Sequence, residues 1–159
     1  MIGVKFITLG TLKESYLREA AAEYEKRLGA FCKTQIVQLK EEKLPDAPSD
    51  GEVKQALERE AQKIAAEIPP RAFKVAMCVE GKQLSSEELA QRLEEVSARY
   101  PDICFIIGSS HGLADSVKNM CDMRLSVSRL TFPHQLMRVL LLEAVYRGFN
   151  IMKGTKYHK

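Results

Sequence analysis

Residues 123–159 read MRLSVSRLTFPHQLMRVLLLEAVYRGFNIMKGTKYHK, and the fold turns on how they are interpreted. A short strand-like run, Leu125 to Ser128, enters a turn at Arg129-Leu130-Thr131-Phe132. Pro133 then opens a helix expected to run to about Phe149. Proline suits a first helical turn because its missing N–H has no partner there, and its fixed φ already matches a helix. Thr131, just ahead, is the expected cap acceptor for the free N–H groups. Leu136, Met137, Val139, Leu140, Leu141, Leu142, Ala144, Val145 and Tyr146 make this helix apolar almost all round. One buried face needs only a stripe of such residues. A second face must therefore be covered, and a chain of 159 residues has few helices to spare for it. A homodimer through the 133–149 helix is expected. The tail GTKYHK is polar apart from Tyr157, and on composition alone such an end is disordered.

Upstream, the chain alternates strands with helices. Residues 2–9 are a first buried strand ending at Gly10. Leu12, Tyr16, Leu17, Ala20, Ala21, Tyr24 and Leu28 recur at helical spacing, with Gly29 as a stop. Lys33 to Leu39 is a second strand, and residues 41–50, with Pro45 and Pro48, a surface loop. Ser49-x-x-Glu52 is a capping box for a helix from about Asp50 to Glu67, ended by Pro69-Pro70. Phe73 to Val79 is a third strand, followed by Glu80-Gly81-Lys82. Ser85-x-x-Glu88 caps a helix over roughly 86–98, and Asp102 to Ile107 is a fourth, apolar strand. Such alternation predicts an α/β sandwich with a mostly parallel sheet. No linker divides the chain, so one domain over residues 1–159 is expected.

Chemistry belongs at the carboxyl ends of such strands. Gly108-Ser109-Ser110-His111-Gly112 follows the fourth strand and matches G-x-S-x-G, the elbow that carries a hydrolase nucleophile. Asp115 or Asp122, with His134 or His158, would complete a serine hydrolase in the permitted order. No glycine-rich oxyanion segment lies upstream of it. Two other readings of Gly108 stand beside that one: a cofactor lying against a backbone without a side chain, or a plain turn. His134 at a helix start is either a capping or packing residue or a functional one. Glu143 and Arg147 form an i,i+4 pair of favourable order. Neither G-x-G-x-x-G nor a P-loop is present, and His111, His134 and His158 have no neighbours at metal-ligand spacing. No metal is expected.

Apolar residues make up 45% of the chain, enough for a real core, and charged residues 28% with both signs mixed. A net charge of +3 permits an RNA partner without demanding one. No stretch approaches the ~20 apolar residues of a membrane span. Cys32, Cys78, Cys104 and Cys121 show no Cys-x-x-Cys spacing and read as buried thiols in a reducing compartment. A cytoplasmic protein without membrane contact is expected.

Thr131-Phe132-Pro133-His134-Gln135, the apolar helix with Tyr146-Arg147 near its end, and the terminal Tyr157-His158 with a basic residue resemble the RlmH family. Ile7-Thr8-Leu9-Gly10, Tyr24-Glu25-Lys26-Arg27-Leu28, Glu80-Gly81-Lys82, Leu84-Ser85-Ser86-Glu87 and Ile106-Ile107-Gly108 extend the resemblance along the whole chain. Those proteins are small SPOUT-class methyltransferases acting on N3 of a pseudouridine in 23S ribosomal RNA. The resemblance implies S-adenosylmethionine as cofactor and a trefoil knot at the C-terminal end. It implies cofactor contacts at Met77, Gly108, Val127, Ser128, Arg129, Leu130, Thr131 and Phe132. It also implies a catalytic group: His158 to take a proton, Tyr157 to stack on the base, and Arg147 or Lys159 to hold a phosphate, with one subunit's tail completing the other's site. The chain departs from the family pattern at Ser109, where a second glycine is usual. A non-catalytic RNA-binding or ribosome-associated protein of the same fold is the remaining alternative.

Overall fold

The computed structural model describes residues 1–158; Lys159, and with it one of the two expected phosphate contacts, lies outside the described residues. The elements run β1 (Gly3–Leu9), α1 (Ser15–Leu28), β2 (Lys33–Leu39), α2 (Asp50–Glu67), β3 (Ala72–Gln83), α3 (Ser86–Arg99), β4 (Asp102–Ile107), α4 (Asp115–Met120), β5 (Met123–Ser126) and α5 (His134–Lys153). All strand pairs are parallel, in the order β2-β1-β4-β3-β5. Parallel sheets need cover on both faces. Here α1, α3 and α5 pack on one face and α2 and α4 on the other. The expected α/β sandwich is borne out. Among the described residues no helix is long and apolar enough to cross a membrane.

The central strands show why the sheet holds together. Phe6 of β1 and Phe105 of β4 are register partners, each nearly solvent-free, with rings stacked at 5.4 Å and 13°. Burying one such ring stabilises the fold by ~1.5–3 kcal/mol. At the start of α2 both halves of the capping box form: Ser49 Oγ accepts the Glu52 N–H, and the Glu52 carboxylate accepts the Ser49 N–H, each at 3.1 Å. Removing that cap would cost about 1 kcal/mol.

Four sequence expectations need correction. β3 does not stop at Val79 but continues to Gln83, because Lys82 and Gln83 pair with β5 after a register shift that begins at Met77. Gly81 permits this: a Cβ there would sit 2.6 Å from the Leu125 carbonyl carbon. Next, β5 ends at Ser126, two residues early, where Ser126 and Ser128 turn their hydroxyls onto the loop itself. Third, α5 begins after Pro133, which is its N-cap; Thr131 makes no capping bond. The helix then runs four residues past Phe149 and stops at Gly154, whose φ is +71°. Gly154 N–H bonds the Ile151 carbonyl and Thr155 N–H the Asn150 carbonyl, the paired closure that a left-handed glycine allows. Fourth, the tail is not loose: Tyr157 and His158 are held by Glu143 and Glu87.

The cover on α5 is also more complete within one chain than its composition implies. α1 and α3 flank it, and Gly148 lets α3 approach closely at Leu93. Its half-buried positions include a stripe at helical spacing, Leu136, Leu140, Ala144, Arg147 and Ile151.

Candidate functional site

The carboxyl ends of β3, β4 and β5 surround one cavity of about 750 Å³, within the ~300–1,000 Å³ usual for a small-ligand site. Three segments build it. The register shift in β3 lifts Cys78, Val79 and Glu80 out of the ladder and turns them to the wall, as bulges re-aim side chains next to sites. The 108–112 loop closes the second side, and the loop after β5 with the first turn of α5 closes the third. Met77, Gly108, Val127, Ser128, Leu130, Thr131 and Phe132 all line this cavity. Arg129 does not; it is exposed. His134 and Met137 join the wall from α5.

Gly108 is constrained by its own loop. A Cβ at that position would come within 2.3 Å of the Gly112 carbonyl oxygen, so the close neighbour that excludes a side chain is backbone. Gly112 has φ +83° and donates to the Ser109 carbonyl at 2.8 Å, which folds the loop back on Gly108. Ser109 in turn donates from Oγ to Glu60 Oε1 at 3.3 Å, while Glu60 Oε2 accepts the Glu42 N–H at 3.0 Å. One buried carboxylate on α2 thus ties two loops together. Burial pushes the Glu60 carboxyl above its ordinary value, outweighing those two hydrogen bonds.

The same loop does not assemble a hydrolase. Among the described residues Ser110 makes no hydrogen bond to a histidine, and no residue other than glycine has positive φ, so no strained elbow exists. His134 lies 3.5 Å from Glu41 and His158 is held by Glu87. The thiol of Cys78 is pushed up by burial and then by Glu80, which makes it apolar wall rather than nucleophile. No group of three or more His, Cys, Asp or Glu among the described residues is arranged to hold a metal.

Arg138, in the first turns of α5, is 2% exposed. Its guanidinium donates to Gln38 Oε1 at 3.0 Å and to the Gly10 carbonyl at 3.1 Å, fixing α5 against the ends of β1 and β2. Burial lowers its pKa. Neither Glu60 nor Arg138 is singled out by the sequence: Glu60 is one of many charged residues on α2, and nothing local marks Arg138 on the apolar α5 as buried.

Arg147, Tyr157 and His158 come together, but away from this cavity. After Gly154 the chain folds back on α5. The Tyr157 hydroxyl donates to Glu143 Oε2 at 2.8 Å, its ring meets Tyr146 edge-on at 4.8 Å, and the Arg147 guanidinium lies 4.8 Å over its face. Arg147 also donates from Nε to Glu143 Oε1 at 2.8 Å. Its Nη1 is 3.2 Å from His158 Nδ1, and His158 Nε2 is 2.9 Å from Glu87 Oε1. Burial first and Glu143 second push the Tyr157 phenol up to about 12. Its own backbone N–H first and the His158 ring second hold the Glu87 carboxyl below its usual range. Met137 on the cavity wall and Arg147 are ten residues apart on one helix, roughly 15 Å along its axis. Within one chain the two groups are separate.

The family model described as "Predicted SPOUT methyltransferase" matches residues 2–158. The "Ribosomal RNA large subunit methyltransferase H" of Streptococcus equi subsp. zooepidemicus (strain MGCS10565) is 48% identical over 157 residues, covering 98% of this chain and 99% of that protein. The protein of the same name from Leuconostoc mesenteroides subsp. mesenteroides is 46% identical over 159 residues, covering 99% and 100%. Among solved structures, that of "a probable methylase family protein from Haemophilus influenzae Rd KW20" superposes with a TM-score of 0.55 at 16% identity. It covers 98% of this chain and 70% of that one, a likeness of fold alone.

Proposed function

The chain belongs to the SPOUT methyltransferase family, and from that premise we propose that it methylates N3 of a pseudouridine in the 23S RNA of the large ribosomal subunit. The observation that carries this reading is the cavity itself. Seven of the residues singled out as cofactor contacts, drawn from three separate segments, line one space of about 750 Å³. The donor would be S-adenosylmethionine, which supplies a sulfonium methyl group. Met77, Leu125, Val127, Leu130 and Phe132 offer apolar walls to a flat adenine, and the irregular 108–112 and 127–133 backbones offer N–H and C=O groups to its polar edge. Residues 1–159 would act as one domain. The knotted threading expected at the C-terminal end belongs to this reading, with α5 leaving β5 through the loop that walls the cavity.

Methyl transfer to a ring nitrogen needs alignment and a group that takes one proton. His158 is suited to the proton, Tyr157 to stacking on the base, and Arg147 to a phosphate. Their distance from the cavity is the strongest reason for a dimer. A two-fold contact pairs the same surface with itself. With the two-fold axis perpendicular to α5, two copies joined along its half-buried stripe lie antiparallel, each helix's C-terminal half beside the other's N-terminal half. That arrangement brings the tail of one copy toward the cavity of the other, and Val79, Val127 and Leu130, exposed at 59%, 37% and 71%, form an apolar rim there.

Titration with S-adenosylmethionine, set beside fluorophosphonate labelling of Ser110, tests the assignment. Cofactor binding without labelling supports it. Labelling would favour a hydrolase, and neither result would leave a binding protein.

A further inference from the structure

Arginine only donates hydrogen bonds. The nitrogen of His158 facing Arg147 Nη1 at 3.2 Å, Nδ1, is therefore the one with the lone pair, and the neutral ring carries its proton on Nε2, where Glu87 Oε1 accepts it at 2.9 Å. Both ring nitrogens are engaged, and only Nδ1 could accept another proton. We infer that Glu87 is a positioning residue for methyl transfer: it orients His158 through Nε2–H, while Arg147 covers Nδ1 until substrate draws the guanidinium away. The inference rests on the role proposed above for His158.

The geometry suits such an exchange. Arg147 is also anchored through Nε on Glu143 at 2.8 Å; its guanidinium is a rigid planar fork, so a phosphate that draws Nη1 swings the whole group about that anchor and off Nδ1. With Nδ1 uncovered, the N3–H bond of the base breaks as an N–H bond forms at Nδ1. The electron pair left on N3 bonds the methyl carbon, and the C–S pair of the sulfonium returns to sulfur. The imidazolium that results keeps its Nε2–H on the Glu87 carboxylate, which offsets the new charge. A carboxylate does the same for the histidine of a serine protease, by fixing tautomer and orientation. Glu87 has no buried role to lose, since its side chain is 65% exposed.

The test compares Glu87→Ala, Glu87→Gln, His158→Ala and the double variant Glu87→Ala/His158→Ala in the full chain. Single-turnover methylation of large ribosomal subunits from an unmethylated strain is the first readout. Both Glu87 variants should be slower by about tenfold or more, but by no more than the ~10²–10⁴-fold that a positioned proton acceptor supplies. S-adenosylmethionine affinity and melting temperature should stay unchanged, and the double variant should be no slower than His158→Ala. The second readout is nuclear magnetic resonance of ¹⁵N-histidine-labelled protein, where an exchange-protected Nε2–H of His158 should vanish in Glu87→Ala. Full activity in the Glu87 variants beside a slow His158→Ala, additive losses in the double variant, or an unchanged Nε2–H signal would each overturn the role of Glu87 alone. Full activity in His158→Ala would remove the proposed role of His158, and this inference with it.

Discussion

Tyr157 donates its hydroxyl proton to Glu143, fourteen positions earlier in the chain, at 2.8 Å, and so folds the C-terminal tail onto the helix before it. The same carboxylate holds Arg147 with its other oxygen. Glu143 is thus the common anchor for two of the three groups proposed to act on the RNA. The contact has a pH window. The Tyr157 phenol is raised from 10.0 to about 12. Its contribution is fully present below the unfolded value and is lost as pH rises through the folded one, so docking of the tail weakens between those two values.

Deleting residues 157–159 should leave folding and cofactor affinity close to those of the full chain, because the cavity wall ends at Met137. Methylation should fall by ~10²–10⁴-fold if the tail supplies the proton acceptor. Rates on unmethylated ribosomes measure this, and a truncated protein at full rate would reduce the tail to an ornament of α5.

Much of the architecture was legible because local signals agreed. The Ser49–Glu52 box and Pro69-Pro70 bound α2 at the residues expected, and the apolar run ending at Gly108 bounds β4. Strand order was not legible, since β1 joins β4 across a long sequence separation that no local pattern encodes. The bulge that supplies Cys78, Val79 and Glu80 did leave a signal. A glycine inside a strand pattern marks such irregularities, and Gly81 is one. The tail shows the opposite case. Its composition is that of a disordered end, and its order comes from Glu143, Tyr146 and Glu87, partners that no local composition reveals.

Gly108→Ala should disturb the cavity by a route other than filling it. The new methyl meets the Gly112 carbonyl oxygen at 2.3 Å, and backbone cannot swing aside as a side chain end can. A cost of about 1–3 kcal/mol is typical of such overpacking, and affinity for S-adenosylmethionine should drop with it. Thermal melts and calorimetric titration report both. An unchanged melt with unchanged affinity would show that the 108–112 loop is neither tight nor part of the site.

Glu60→Gln should stabilise the protein at neutral pH. Burial raises the Glu60 carboxyl above 4.5, so its folded-state contribution is present below the unfolded value and is lost as pH rises through the folded one. The amide avoids that loss and still offers an oxygen to Ser109 or to the Glu42 N–H. The melting temperature of the variant relative to the parent should therefore rise from about pH 4 to about pH 7. A difference independent of pH would mean that Glu60 is hydrated.

Leu140→Glu tests the dimer. Leu140 lies mid-stripe on α5 and is only half-buried within one chain. A charge at the centre of an apolar contact should cost at least ~2 kcal/mol, or roughly a thirtyfold loss of association. Sedimentation should show a dimer for the parent and a monomer for the variant. The variant should retain cofactor binding, because the cavity lies within one chain, and lose methylation. A parent that sediments as a compact monomer at micromolar concentration would contradict the pairing.

The most direct test is methyl incorporation. Purified protein, radiolabelled S-adenosylmethionine and large ribosomal subunits from an unmethylated strain should yield label in the 23S RNA, at one pseudouridine, on N3. Mass spectrometry of the digested RNA locates it. A folded protein that binds the cofactor yet transfers no methyl to the subunit, or places it on another atom, would contradict the assignment.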